Sequence, residues 1–123
     1  MRVVIVDQNL KAGRTLAAAV EQTLPSVDVL LYAQPQEALT GIEMHSPDVT
    51  FVAPSVDGVP GPEFLAKARA VTDDTKYVGM VDAPDADTSI AWISAGANIV
   101  LARPVDALGI RTALRQVAGG IDA

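Results

Sequence analysis

Short apolar runs alternate along this chain with longer segments whose apolar residues recur at helical spacing. The first run, residues 3–6, is followed at once by the polar residues Asp7, Gln8 and Asn9. A continuous apolar run of this length is typical of a strand buried on both faces. Asn9 is a favourable N-cap residue, and the amphipathic segment after it continues to Pro25. The chain therefore begins with a predicted strand and a predicted helix.

The same alternation repeats four more times. Further strands are predicted at residues 27–31, 48–53, 77–81 and 98–102. Helices are predicted from Pro35 to before Pro47, from about Pro62, over residues 86–95 with Gly96 at the C′ position, and after the N-cap Asp106. Five βα units predict an α/β domain: a (βα)5, doubly wound, five-stranded parallel sheet with helices on both faces.

The length of 123 residues fits a single domain. We expect that domain to cover residues 1–118. Residues 119–123 begin with two glycines and are interpreted as a tail, the start of a linker to an effector domain.

Composition excludes several classes of function. Nine Lys and Arg residues against fifteen Asp and Glu give a net charge of −6, whereas nucleic-acid or anionic-membrane binding needs a basic surface. Without cysteine there is no disulfide, thiolate metal site or cysteine nucleophile, and the single His45 excludes a multi-histidine site. No apolar run reaches the length of a signal peptide core or a membrane span, so we expect a cytoplasmic protein. The acidic surplus is densest at residues 73–87, which hold five Asp and one Lys.

Four stretches carry a resemblance to a known family. They are VVIVDQN at residues 3–9, AQPQEAL at 33–39, PDVTFVA at 47–53 and GANIVLARPVD at 96–106. In this order and spacing they resemble a response-regulator receiver (CheY-like) domain over essentially the whole chain. The resemblance implies a flavodoxin-like receiver fold with strand order 2-1-3-4-5, and a role in bacterial two-component signal transduction.

The resemblance also implies a phosphoryl switch, in which an Asp that ends the third strand accepts the phosphoryl group. In this chain that position is Ala53, and a methyl group cannot be phosphorylated. A pair of acids after the first strand holds Mg²⁺ in the family, and here only Asp7 remains because Gln8 replaces the direct ligand. One carboxylate and an amide make a poor Mg²⁺ site. We therefore expect no metal, no cofactor and no enzymatic activity.

The remaining family positions also differ. Asp82 takes the place of the Ser or Thr that contacts the phosphate, Arg103 that of the Lys, and Val100 that of the switch aromatic. The chain is interpreted as a degenerate pseudo-receiver. Because an Arg fork can bridge two carboxylates, we expect Arg103 to pair with Asp82, Asp7 or both in the space of the ion and the phosphate.

The fourth predicted helix is apolar almost all round, so an apolar group is expected to face solvent. Receivers commonly use this helix, the fifth strand and the fifth helix to dimerise or to meet partners. The expected contact surface is formed by Ile90, Trp92, Ile93, Ile110 and Leu114.

Three functions remain open. The leading interpretation is a phosphorylation-independent regulatory domain that acts through protein–protein contacts or as a homodimer, upstream of an effector domain. The first alternative is a phosphotransfer receiver that uses another aspartate such as Asp57. The second is a small-molecule sensor that uses the vacated pocket near Ala53.

Overall fold

The computed structural model describes residues 1–72, 74–83 and 85–118 of the chain. Its strands are β1 (Arg2–Val6), β2 (Asp28–Tyr32), β3 (Val49–Val52), β4 (Ser55–Val56), β5 (Val59–Pro60), β6 (Lys76–Val81) and β7 (Ile99–Ala102). Its helices are α1 (Leu10–Thr23), α2 (Pro35–His45), α3 (Gly61–Val71), α4 (Ala86–Ala95) and α5 (Ala107–Ala118). The tail at 119–123, with the linker expected there, and Asp73 of the acidic stretch lie outside the described residues. None of the helices within those ranges is both long enough and apolar enough to cross a membrane.

Five of the strands form one parallel sheet in the order β2-β1-β3-β6-β7. Since β6 and β7 are the fourth and fifth strands of this sheet along the chain, the order is the predicted 2-1-3-4-5. The five-stranded parallel α/β fold is confirmed.

Two apolar cores, one on each face of the sheet, hold the helices in place. On one face, Leu16 of α1 and Ile110 of α5 pack against residues of β1, β3 and β6. On the other, Ile42 of α2, Phe64 of α3 and Trp92 of α4 pack together against the sheet. Because both faces are covered, alternate residues of each strand enter opposite cores. This explains why residues 3–6 are continuously apolar and fully buried.

The segment after β3, expected to be a loop, contains a short antiparallel hairpin formed by β4 and β5. Its turn is Asp57-Gly58, and both residues have positive φ, 49° and 83°. An Asp-Gly pair is a strong turn signal, so the local sequence is compatible with the hairpin. The Asp57 backbone N–H donates to the Gln8 side-chain oxygen, which ties the hairpin to the end of β1.

Helix termini follow the predicted capping residues. The Asn9 side-chain oxygen accepts from the Ala12 N–H at 3.1 Å, and the Asp106 carboxylate accepts from the Gly109 N–H at 2.8 Å. Gly96 ends α4 in the left-handed region, with φ of 117°, which a residue without Cβ adopts most easily.

The orientation of α4 corrects one expectation. Trp92 points into the sheet and is 1% exposed, so it does not line an exposed surface. Its indole lies where Cβ atoms on Gly61 and Gly79 would be, and the two glycines leave the space that the ring fills. Ile90 and Ile93, on the opposite side of the helix, are 62% and 53% exposed.

Two further residues of the expected contact surface are also buried. Ile110 and Leu114 of α5 belong to the core that α5 shares with α1 and the sheet. Their spacing of four residues marks the inward face of an amphipathic helix. They were wrongly assigned to the surface, and Leu108 is a large apolar residue of α5 that is exposed.

Candidate functional site

Three strands of the sheet end in charged residues at the same edge. Asp7 follows β1, Asp82 follows β6 and Arg103 follows β7. The residues two positions earlier in each strand belong to the core under α1 and α5. The strand alternation therefore directs all three charged side chains to that side of the sheet. This edge is where α/β sheets generally bind their ligands.

Arg103 joins the two carboxylates. Its Nε and Nη2 donate to Asp82 Oδ1 and Oδ2 at 2.8 and 3.0 Å, a bidentate arrangement, and its Nη1 donates to Asp7 Oδ2 at 3.3 Å. Planar guanidinium and carboxylate groups pair well in this way. Arg103 was expected to pair with Asp82, Asp7 or both, and it pairs with both. We call these three residues the Arg103 clamp.

The members of the Arg103 clamp differ in exposure. The Asp7 side chain is 5% exposed and that of Asp82 is 67% exposed, with Arg103 between them at 27%. The hydrogen bonds from Arg103 hold the pKa of Asp82 below its ordinary value, with a smaller contribution from the positive charge itself. The hydrogen bonds to Asp82 likewise raise the pKa of Arg103. Both groups are therefore charged at neutral pH.

The oxygen atoms that the family uses for Mg²⁺ are already engaged. Asp7 Oδ1 accepts from the Asn9 N–H at 2.9 Å, and Asp7 Oδ2 accepts from Arg103. The Gln8 side-chain oxygen accepts from the hairpin. Within the described part of the chain, no group of three or more His, Cys, Asp or Glu residues could hold a metal ion. This donor set does not fit Mg²⁺, which requires several free hard oxygen ligands.

Ala53 and Val100 occupy the other two family positions. Ala53 is buried in the core under α1 and α5, and its backbone N–H donates to the Val6 carbonyl at 3.0 Å. Val100 is half-buried and packs against the opposite core, which includes Trp92. Neither side chain can accept a hydrogen bond, so neither could report on a bound phosphate.

A cleft of about 440 Å³ lies beside the Arg103 clamp. Ala12 and Leu16 of α1, Met80 of β6 and Val105 after β7 supply its apolar lining, and Lys11 lies at its border. Ala53 does not line this cleft. The pocket expected at Ala53 is therefore displaced toward α1.

Asp7, Asp82 and Arg103 border this cleft as predicted, but sequence reasoning missed Lys11 and the apolar lining. Lys11 lies two residues after the N-cap Asn9 and four after Asp7, so it had to be near this edge of the sheet. That short separation was the available signal for Lys11. Leu16 and Met80 are also core residues, and nothing in a sequence pattern separates an apolar residue under a cleft from one that is covered.

Comparison with known proteins identifies the fold. No protein-family model and no curated protein matches the chain. Among solved structures, a two-component response regulator from Clostridium difficile superposes with a TM-score of 0.87 at 16% identity, over 100% of this chain and 99% of the other. A CheY-like response regulator receiver domain protein from Methanospirillum hungatei JF-1 gives 0.80 at 21% identity, over 98% and 93%. The chain has the receiver fold.

A third similar structure is the signal receiver domain of a DNA binding response regulator protein from Colwellia psychrerythraea 34H. It has a TM-score of 0.86 at 16% identity, over 96% of this chain and 98% of the other. At 16–21% identity, these likenesses show the receiver fold alone.

Proposed function

We propose that the chain is a pseudo-receiver, a regulatory domain of bacterial two-component signal transduction that works without phosphorylation. The observation that carries the proposal is the Arg103 clamp. A guanidinium held by two carboxylates takes the place at the strand ends where the family binds an ion and a phosphoryl group. The phosphoacceptor position also supports the proposal, because the buried methyl group of Ala53 cannot act as a nucleophile.

The charges of the clamp argue further against phosphoryl chemistry. A phosphoryl group in the family's position would carry up to about two negative charges into the space between the strand ends that the Arg103 guanidinium fills between Asp82 and Asp7. To make room for it there, Arg103 would have to leave one or both carboxylates, and Asp7 is buried. Loss of its partner would leave a desolvated charge without compensation.

The alternative acceptor Asp57 has little support in the geometry. It lies exposed in the hairpin turn and borders a depression with Phe64 and Lys67, separate from the cleft beside the Arg103 clamp. Among the described residues, no hydrogen bond or ion pair joins Asp57 to Asp82 or Arg103, the positions that read the phosphate in the family.

The test is incubation with acetyl phosphate and Mg²⁺ followed by intact mass measurement, with a conventional receiver as the positive control. We expect no phosphoryl adduct on this chain under conditions that modify the control. An adduct that disappears in Asp57→Asn would overturn the proposal in favour of phosphotransfer.

Output is proposed to pass through protein contacts on the exposed side of α4. Ile90 and Ile93 lie one helical turn apart and leave apolar surface in solvent. A homodimer through the face formed by α4, β7 and α5 is one form of this contact, and a separate protein partner is the other. The net charge of −6 argues against nucleic acid as the partner of this domain.

We propose that an effector domain follows the described residues. The similar structure from Colwellia psychrerythraea 34H is the signal receiver domain of a DNA binding response regulator protein. In the present protein, the pseudo-receiver would regulate such a domain and would not itself be an enzyme.

A further inference from the structure

The cleft beside the Arg103 clamp combines an apolar lining with a charged border. Its volume of about 440 Å³ lies within the range of about 300–1,000 Å³ that is common for small-molecule sites. Leu16 and Met80 form part of a packed core beneath it, so the lining is rigid. Val105 closes one side from the loop between β7 and α5.

The hydrogen bonds within the protein show which charged groups at the border can still bind a ligand. Both oxygens of Asp82 accept from Arg103, and the two oxygens of Asp7 accept from Arg103 and from the Asn9 N–H. Each carboxylate oxygen therefore already has a donor within the protein. Arg103 has five N–H groups and gives three of them to the two acids, and the other two have no acceptor among the described residues.

Lys11 adds a second positive group. Its side chain is exposed at the border of the cleft, and within residues 1–72, 74–83 and 85–118 it makes no ion pair. A ligand head group at this border would meet the Lys11 ammonium and the free N–H groups of Arg103. The charged donors that remain at this border are both cationic, so they fit an anionic head group, although Asp7 and Asp82 leave the border without a net positive charge.

We propose that this cleft binds a small amphipathic monoanion. Its apolar part lies against Leu16, Met80 and Val105, and its carboxylate pairs with Lys11 and Arg103. The proposal goes beyond the regulatory function described above. It concerns the ligand of the domain. It does not depend on whether the domain acts through a homodimer or through a separate protein partner.

Three probes of equal chain length test the sign of the charge: octanoate, octylammonium and octanol, each below its micellar concentration. Titrations by calorimetry and by amide NMR shifts are expected to show octanoate binding most tightly, with shifts at Ala12, Leu16 and Val105. Octylammonium binding as tightly as octanoate would overturn the proposal, as would the absence of octanoate binding.

Paired charge reversals locate the site. Lys11→Glu is expected to weaken octanoate binding about fivefold or more, the effect of reversing one surface charge near the ligand. Lys76→Glu is the matched control, because it makes the same charge change at the opposite end of β6 and should alter affinity less than about twofold. Equal effects of the two changes would mean non-specific attraction and would contradict the proposal.

A blocking variant provides a second and independent test. Ala12→Phe places a ring in the cleft from the partly exposed face of α1 and should abolish octanoate binding. Its circular dichroism and unfolding midpoint report whether the domain is intact. Full octanoate binding to a folded Ala12→Phe variant would exclude this cleft as the site. None of these measurements involves phosphorylation or association, so their outcome is independent of the proposed function.

Discussion

Arg103 gives its hydrogen bonds to two carboxylates with very different surroundings. Its contact with Asp82 is bidentate and short, but Asp82 is exposed and its charge is screened by water. Its contact with Asp7 is longer, but Asp7 is buried and has the Asn9 N–H as its other partner. The contact with the buried Asp7 therefore contributes more to stability than its longer distance alone would indicate.

Removal of Arg103 tests this ranking. Arg103→Ala is expected to lower the free energy of unfolding by about 1–3 kcal/mol, because it leaves the buried Asp7 without its cationic partner. Asp82→Ala should lower the free energy of unfolding clearly less, since Arg103 keeps its contact with Asp7 and Asp82 is mostly in solvent. Urea unfolding followed by Trp92 fluorescence measures both. An equal loss in the two variants would contradict the ranking.

The pKa of Asp82 gives a pH dependence with a defined sign. Folding lowers this pKa from 3.8, through the hydrogen bonds from Arg103, so the folded protein takes up the proton less readily than the unfolded chain. The contribution to stability is fully present above the unfolded pKa and is lost as pH falls through the folded pKa. The stability advantage of the wild type over Asp82→Asn should therefore narrow as the pH falls below about 5 and should continue to narrow below 3.8. An advantage that widens on acidification would contradict the assigned shift.

The clamp could be predicted from sequence, whereas the position of Trp92 could not. Asp7, Asp82 and Arg103 each directly follow a strand of the sheet. Because the strands are parallel, their carboxyl ends, and so these three residues, lie at one edge. In contrast, α4 is apolar on both sides, so its pattern does not say which side is buried. Trp92 is the buried side because its ring fits the space that Gly79 and Gly61 leave free. The sequence shows the two glycines but not that they lie next to each other beneath α4.

Among the secondary-structure elements, Trp92 connects α4 with β6 and α3. Its ring belongs to α4, covers Gly79 of β6 and contacts Gly61 at the start of α3. A ring of this size buried among three elements makes the angle of α4 on the sheet depend on the absence of two Cβ atoms. Interiors packed at this density respond to a single added methyl group.

Adding that methyl group is the test. Gly79→Ala is expected to lower the free energy of unfolding by about 1–3 kcal/mol, the usual effect of overpacking, although Ala is otherwise the better strand residue. In a Trp92→Leu background the same change should cost much less, because the overlapping ring is absent. Circular dichroism in urea follows all four chains of the cycle. Equal costs in the two backgrounds would mean that the ring does not occupy this space.

Element boundaries from sequence were accurate to within one or two residues, and the hairpin was the main omission. The main-sheet strands are long apolar runs that must be buried, which is a strong signal. Two-residue strands such as β4 and β5 carry no periodicity. Their ladder is held by the Asp57-Gly58 turn and by the hydrogen bond from Asp57 to Gln8, a contact between distant parts of the chain.

At the scale of the whole molecule, the proposed ligand site and the proposed output surface lie on different parts of the fold. The cleft opens at the strand ends on the side of α1 and α5, and Ile90 and Ile93 face solvent from α4 on the other side of the sheet. Because they lie on opposite faces, we expect that mutation can alter either one without affecting the other.

The proposed output surface predicts the effect of paired substitutions on association. If the chain forms a homodimer through α4, then Ile90→Glu with Ile93→Glu should shift the mass in light scattering from dimer to monomer. The fold should be retained, because both side chains are exposed. Met44→Glu, at an exposed apolar residue of α2, is the matched control and should leave the dimer intact. A wild-type chain that is monomeric at every concentration would contradict the homodimer.

The burial of Ala53 beside a satisfied ion-pair network also constrains how this sequence can evolve. Ala53→Asp alone would add a third carboxylate to an edge where one guanidinium already serves two, and it would do so at a buried position. We expect that a phosphoryl group could be accepted at this edge only if Asp82 and Arg103 were replaced as well, and each replacement would remove hydrogen bonds of the present clamp. Single substitutions are therefore expected to lower stability before phosphoryl chemistry becomes possible.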